Sequence, residues 1–80
     1  MKLYIYETCP YCIKVRNTLK ELGYKEGKDI ILLDANKEEN ANELIELGGK
    51  LQVPFLIDGE TMMYESSDIM EYLREKKNEN

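Results

Sequence analysis

Two cysteines, Cys9 and Cys12, carry the strongest chemical signal in this 80-residue chain. They belong to a Cys-Pro-Tyr-Cys motif that follows a short apolar run and precedes a stretch with helical periodicity. A cysteine at a helix N-terminus faces unpaired backbone N–H groups and the positive end of the helix dipole, and both stabilise a thiolate. Because the thiolate is the form that attacks disulfides, we predict that Cys9 is an exposed nucleophile. Cys12 lies one turn further on, within reach of the Cys9 sulfur.

Two structural roles for the pair fit the sequence less well. A disulfide across so short a loop would restrict the unfolded chain by only about 2 kcal/mol in the chain-entropy model, and it would join residues that the helix already holds together. Burial of both thiols in a core conflicts with the position of Cys9 beside Pro10 at a loop. Redox or metal chemistry is therefore favoured. The sequence has two cysteines and no histidine, so the usual four-ligand zinc site would need a second chain. The lack of histidine also excludes a Cys-His catalytic pair.

The composition is that of an acidic globular protein, with 42% hydrophobic and 34% charged residues and a formal net charge of -5. Nucleic acids and anionic membranes are bound by basic patches, so we expect neither as a partner. The N-terminal apolar stretch is too short for a signal peptide, and no segment approaches membrane-spanning length. We therefore expect a single domain over residues 1–80, monomeric and in a reducing cytoplasm. In that compartment a cysteine pair is more often catalytic or metal-binding than structural.

The elements that position the motif follow in the order β-α-β-α-β-β-α. Apolar runs predict strands at residues 3–6, 29–34, 53–57 and 61–64. Helical periodicity predicts helices at residues 11–22 and 36–47, and a third that starts with Ser66 or Ser67 as its N-cap. The continuous run at 29–34 indicates a strand covered on both faces, and the first two βαβ steps indicate parallel strands. With an Asp58-Gly59 hairpin, this predicts an α/β fold with a mixed four-stranded sheet and three flanking helices.

In this order of elements, the Cys9-Pro10-Tyr11-Cys12 motif resembles the active site of the glutaredoxins, the glutathione-dependent members of the thioredoxin superfamily. Val53-Pro54 falls where that superfamily carries a cis-proline opposite the redox pair, although a trans proline opening an edge strand is the alternative. Residues 64–69 resemble the segment with which glutaredoxins and glutathione transferases hold the γ-glutamyl end of glutathione. The resemblance spans nearly the whole chain and implies the thioredoxin fold.

The resemblance implies a glutathione-dependent thiol–disulfide oxidoreductase. In such enzymes the residue in the place of Cys9 attacks a disulfide and forms a mixed disulfide, which either the residue in the place of Cys12 or free glutathione then resolves. Glutathione is the implied co-substrate, and no bound cofactor is required. The implied partners are disulfide-bearing or glutathionylated proteins.

The glutathione site implied by the resemblance comprises Tyr11, Lys50, Val53, Pro54, Glu65, Ser66, Ser67 and Asp68. Backbone N–H groups at Ser66 and Ser67 would bind one carboxylate at the helix N-terminus, and Asp68 would accept from the neighbouring ammonium. The Val53 backbone would pair with the cysteine part of the ligand, and Lys50 would lie near the glycine carboxylate. Plain N-capping is the alternative for the two serines and the aspartate, and a solvated loop lysine is the alternative for Lys50.

Two positions depart from the glutaredoxin pattern. Tyr6 stands three residues before the first cysteine, where many glutaredoxins have a lysine, so one cationic contact to glutathione and one stabiliser of the thiolate are missing. Tyr64-Glu65 stands where many have a Gly-Gly pair, and it resembles the glutathione-transferase form of the motif instead. Neither change removes the thiol chemistry; they bear on how tightly glutathione binds and on whether Glu65 contacts it.

Three other functions stay open on the sequence alone. The first is a redoxin that receives electrons from thioredoxin reductase. The second is a non-enzymatic iron–sulfur carrier, in which Cys9 from each of two chains and two glutathiones hold one cluster. The third is an isolated domain of the glutathione-transferase type, although those enzymes use an all-helical second domain for their other substrate.

Overall fold

The structure, a computed structural model, describes residues 1–78, and its seven elements follow the predicted order. They are β1 (Lys2–Ile5), α1 (Pro10–Leu22), β2 (Ile31–Asp34), α2 (Glu38–Gly48), β3 (Phe55–Asp58), β4 (Thr61–Met63) and α3 (Ser66–Asn78). The four strands form one mixed sheet in the order β2-β1-β3-β4. The predicted α/β architecture is therefore confirmed, and β1 is one of its two inner strands.

The prediction that β2 is covered on both faces is wrong, because none of its four residues is buried and Ile31 is 42% exposed. The strand pairs in parallel with β1 and lies at an edge of the sheet. The apolar run beginning at Ile30 is divided instead: Ile30 is fully buried and only the residues after it form the strand. A continuous apolar run indicates burial of a segment, but it does not say which strand of a sheet holds the inner position.

The second βαβ step does not produce parallel strands, which corrects a further prediction. Strand β3 runs antiparallel to β1, and β4 runs antiparallel to β3. The register shows why: Ile5 pairs with Asp34 at the end of β2, and Phe55, the first residue of β3, pairs with Tyr4. Strand β3 thus starts at the same end of the sheet where β2 finishes. This brings the segment before Phe55 to the end of β1 that leads to the cysteines.

Side chains alternate between two buried layers along β1. Leu3 and Ile5 belong to one core cluster, whereas Tyr4 belongs to the other, because successive strand residues point to opposite faces. The first cluster includes buried residues of α1 and α3, namely Cys12, Val15, Leu19, Ile69 and Leu73. The second joins Tyr4 to Ala35, Leu44 and Phe55 on the face covered by α2. Cys12 is therefore part of a packed core, whereas Cys9 lies at its margin.

The hairpin between β3 and β4 forms one residue later than its sequence signal indicated. Asp58 pairs with Thr61, so the two-residue loop is Gly59-Glu60, and Gly59 supplies the positive φ of 61° that such a turn requires. Asp58 accepts hydrogen bonds from Tyr72 at 2.5 Å and forms an ion pair with Lys76 at 2.9 Å. These contacts lower the pKa of the Asp58 carboxyl, with Lys76 the larger cause, and they attach α3 to the hairpin.

Candidate active site

Cys9 is the N-cap residue of α1, as predicted. Its sulfur accepts a hydrogen bond from the backbone N–H of Cys12 at 3.4 Å, and Pro10 opens the helix. The carbonyl of Cys9 accepts from the Ile13 N–H at 3.0 Å, so the helix begins directly at the thiol. The sulfur therefore faces the unpaired N–H groups of the first turn, where a negative charge is stabilised. The side chain is partly exposed, so a disulfide sulfur can approach it.

Cys12 has the opposite environment, although it is only one turn away. The residue has no exposed surface, and burial raises the pKa of its thiol to about 12, with the adjacent Cys9 sulfur acting in the same direction. The Tyr6 backbone and Arg16 act the other way, with smaller effect than burial. A group with so high a pKa is a neutral thiol at physiological pH. The two cysteines thus differ in access, and only Cys9 is placed as an attacking group.

The difference in access predicts a difference in alkylation. Iodoacetamide added to the reduced, folded protein is expected to modify Cys9 and to leave Cys12 at least about tenfold less reactive, because Cys12 is buried and protonated. Raising the pH from 7 to 9 does not change this expectation, since its pKa is about 12. Intact-protein mass spectrometry should show one adduct when folded and two in denaturant.

The Cys9→Ser variant is the matched control for that experiment. It should acquire no adduct while folded and one adduct when unfolded. Rapid double alkylation of the folded wild type would contradict the burial of Cys12.

Arg16, one turn after Cys12 on α1, forms a two-point contact with Glu26. Its Nε and Nη2 donate to the two carboxylate oxygens at 3.0 and 3.1 Å. Lys14, on the same helix, has its ammonium 5.8 Å from the centroid of the Tyr11 ring. The guanidinium is thus tied to the loop that precedes β2, and Lys14 lies beside the exposed aromatic ring of the cysteine motif.

The Val53–Pro54 peptide bond is cis, as the resemblance implied. Val53 and Cys9 both pack against the first core cluster, and Pro54 itself is buried. Because Phe55 pairs with Tyr4, the cis-proline segment and the segment after β1 leave the sheet at the same end. The two parts of the predicted site, 45 residues apart in sequence at Cys9 and Pro54, are therefore neighbours in the fold.

An open groove with a volume of about 380 Å³ lies beside this junction. Five predicted site residues line it: Tyr11, Val53, Pro54, Glu65 and Ser66. Two residues that the sequence interpretation did not assign to the site, Gln52 and Tyr64, also line it. Gln52 could have been included as the neighbour of Val53, and Tyr64 as the first residue of the segment 64–69, of which only Glu65, Ser66, Ser67 and Asp68 were assigned to the site.

Three predicted glutathione contacts do not line the groove, namely Lys50, Ser67 and Asp68, and neither do the two cysteines, Cys9 and Cys12. Helix α3 starts at Ser66, and the carbonyl of Glu65 accepts from the Ile69 N–H at 2.9 Å. Glu65 therefore occupies the N-cap position, and the prediction of Ser66 or Ser67 as the N-cap, which rested on the general preference of serine for that position, is wrong. Ser67 and Asp68 are exposed in the first turn of the helix.

Tyr6, which stands where many glutaredoxins have a lysine, has a structural role in this chain. The side chain is partly buried and packs against the second core cluster with Tyr4 and Phe55.

Within residues 1–78, no group of three or more histidine, cysteine or acidic residues is arranged to hold a metal ion. None of the helices in that part of the chain is long and apolar enough to cross a membrane.

The fold and the site define a thioredoxin-like protein with a Cys-X-X-Cys pair at the N-terminus of its first helix. The chain belongs to the family described as "Glutathione S-transferase, N-terminal domain", whose model matches residues 3–80. It is 36% identical over 74 residues to Glutaredoxin 2 from three strains of Escherichia coli. That match covers 91% of this chain and 32% of the relatives, so the chain spans about a third of their length.

A solved structure gives the same fold. Glutathione S-transferase 1-6 from Anopheles dirus species B superposes with a TM-score of 0.78 at 22% identity, over 100% of this chain and 37% of the other. At that identity the likeness concerns the fold alone. The predicted thioredoxin fold and the resemblance to glutaredoxins are both confirmed, the second as a distant homology to Glutaredoxin 2.

Proposed function

We propose that this chain is a glutathione-dependent thiol–disulfide oxidoreductase that reduces protein disulfides and glutathione mixed disulfides. The observation that carries the proposal is the geometry of the cysteine pair. The Cys9 sulfur accepts the Cys12 N–H at a helix N-terminus, and Cys12 is a buried neutral thiol one turn away. This is the asymmetry that a nucleophile and a resolving group need.

In the first step the Cys9 thiolate attacks one sulfur of a substrate disulfide. A bond forms between Cys9 and that sulfur, the substrate S–S bond breaks, and the departing thiolate takes a proton from solvent. With a protein disulfide, the Cys12 thiol then loses its proton and attacks the Cys9 sulfur, which releases the second product thiol and leaves Cys9 and Cys12 as a disulfide. Two glutathione molecules would reduce that disulfide and become oxidised glutathione.

With a glutathione mixed disulfide, one cysteine is sufficient. Cys9 takes the glutathionyl group and releases the reduced protein thiol, and free glutathione then attacks the mixed disulfide and restores the Cys9 thiolate. Cys12 is not needed in this route. No bound cofactor takes part in either route, since all the electrons come from glutathione.

The groove supports glutathione as the ligand. It is lined by Tyr11, by the Val53-Pro54 segment and by the Glu65-Ser66 start of α3. The Val53 backbone would pair with the cysteine part of the tripeptide. The first N–H groups of α3, including those of Ser66 and Ser67, would bind the γ-glutamyl carboxylate.

The two ends of the tripeptide need charged partners beyond the groove walls. Asp68, exposed in the first turn of α3, would accept from the γ-glutamyl ammonium. Lys50 would face the glycine carboxylate, as its ammonium lies against the ring of the groove residue Tyr64. We further propose that disulfide-bearing and glutathionylated cytoplasmic proteins are the partners and that residues 1–80 act as one monomeric domain.

A coupled assay tests the proposal. The protein is supplied with NADPH, glutathione, glutathione reductase and a small glutathione mixed disulfide, and NADPH oxidation is followed by absorbance. We expect a rate well above that of the same mixture without the protein. A parallel mixture replaces glutathione and its reductase with thioredoxin reductase. Turnover in that mixture alone would contradict glutathione as the electron donor.

A further inference from the structure

Tyr64, between β4 and α3, contacts two separate parts of the chain, Phe55 at the start of β3 and Lys50 in the loop before it. Its ring lies 4.4 Å from the Phe55 ring, centroid to centroid, at an interplanar angle of 35°. Its hydroxyl donates to the Lys50 carbonyl at 2.8 Å and accepts from the Lys50 N–H at 3.3 Å. One side chain therefore satisfies both main-chain polar groups of a residue 14 positions away.

The side chain of Lys50 is held by the same ring. Its ammonium lies 4.8 Å from the Tyr64 ring centroid, within the range of a cation–π interaction. Lys50 is exposed, and a free lysine side chain samples many rotamers. The combination of two main-chain hydrogen bonds and the ring contact restricts both ends of the residue.

Gly48 makes this arrangement possible. A Cβ at this last residue of α2 would overlap the Tyr64 hydroxyl and would lie 2.7 Å from the Tyr64 Cζ and 3.1 Å from the Phe55 Cε1. Side-chain carbons do not approach atoms so closely, so any larger residue would displace the ring. The end of α2, the loop before β3 and the start of α3 therefore meet at Tyr64.

The meeting point is also a wall of the groove, which Tyr64 lines together with Val53 and Pro54. Lys50 lies three residues before Val53 in the same connecting loop. We propose that Tyr64 is a positioning residue, which holds the Lys50 segment so that its ammonium stays beside the groove as a fixed cation. A fixed cation favours a ligand with a negative charge at that end, which for glutathione is the glycine carboxylate. The inference rests on the proposed function.

The inference is tested by comparing the affinity for a ligand with a free glycine carboxylate with the affinity for one whose glycine carboxylate is esterified. Isothermal titration calorimetry would compare S-methylglutathione with its glycine ethyl ester on the wild type, Tyr64→Phe and Tyr72→Phe. We expect the wild type to prefer the acid about tenfold, as a charge-assisted contact would require. Tyr64→Phe, which keeps the ring and loses the hydroxyl, should reduce this preference to about twofold. Tyr72→Phe is the matched control, because its hydroxyl binds Asp58 outside the groove, and its preference should equal that of the wild type.

Hydrogen exchange at the Lys50 amide gives a second readout that needs no ligand. Its N–H should exchange about tenfold faster in Tyr64→Phe than in Tyr72→Phe, because its hydrogen-bond acceptor is gone. Faster exchange with an unchanged preference for the acid would overturn the inference, since Tyr64 would then be structural only. Unchanged exchange would overturn it as well. A wild type that binds neither ligand would instead refute the proposed glutathione site, and the inference with it.

Discussion

Cys9→Ser is expected to lower the rate of the glutathione-coupled reaction on the order of a thousandfold or more, to the level of the mixture without protein. A serine hydroxyl stays protonated at the helix N-terminus and is a poor nucleophile toward sulfur, whereas the structure places the Cys9 sulfur on the first N–H groups of α1. The measurement is NADPH oxidation with a small glutathione mixed disulfide. The fold should be unaffected, because the side chain lies at the margin of the core.

Cys12→Ser separates the two routes. With the glutathione mixed disulfide, the rate should stay within about threefold of wild type, since free glutathione resolves the mixed disulfide. With a protein disulfide as substrate, the rate should fall at least about tenfold, because the resolving thiol is missing. Equal losses in Cys9→Ser and Cys12→Ser on the small substrate would contradict the assignment of Cys9 as the nucleophile.

Leu3→Ala is expected to destabilise the protein by about 2–5 kcal/mol. Leu3 is fully buried on the inner strand β1 and belongs to the core cluster with α1 and α3. A domain of this size has only about 5 kcal/mol of stability or little more. The variant should therefore lose a large share of its stability and unfold at a clearly lower denaturant concentration, which chemical denaturation followed by circular dichroism would measure.

Ile31→Ala is the matched control for Leu3→Ala. Ile31 lies on the adjacent strand β2, paired with Lys2, but it is 42% exposed. The substitution should lower the free energy of unfolding by less than about 1 kcal/mol. A cost for Ile31→Ala equal to that of Leu3→Ala would mean that β2 is covered on both faces, as the apolar run alone indicated.

The cysteine pair shows how much of the site could be predicted. The position of Cys9 before a helix depends on residues that follow it directly, above all Pro10 at the first helical position. Cys12 shares its helical spacing with the buried residues Val15 and Leu19, which is typical of the core face of a helix. The exposed position of Cys9 was predicted from this local pattern, whereas the complete burial of Cys12 is a finding of the structure.

The groove could be predicted only in part. Val53 and Glu65 were assigned by resemblance to a motif, and both line it. Tyr64 belongs to the same motif, but its hydrogen bonds with Lys50, 14 residues away, could not be predicted from it. Ser67 and Asp68 were assigned to the site from the motif, yet both lie outside the groove wall.

The order and types of the elements could be predicted from the sequence alone, and so could the C-terminal ends of α1 and α2, where Gly23 and Gly49 have φ angles of 84° and 91°. These features depend on side chains and backbone preferences within a turn or two. Three features required the folded structure: the antiparallel pairing of β3 with β1, the edge position of β2 and the contact of Tyr64 with Lys50. Those features arise from contacts between segments far apart in the chain, and the path that the chain takes between such segments is not encoded in any local pattern.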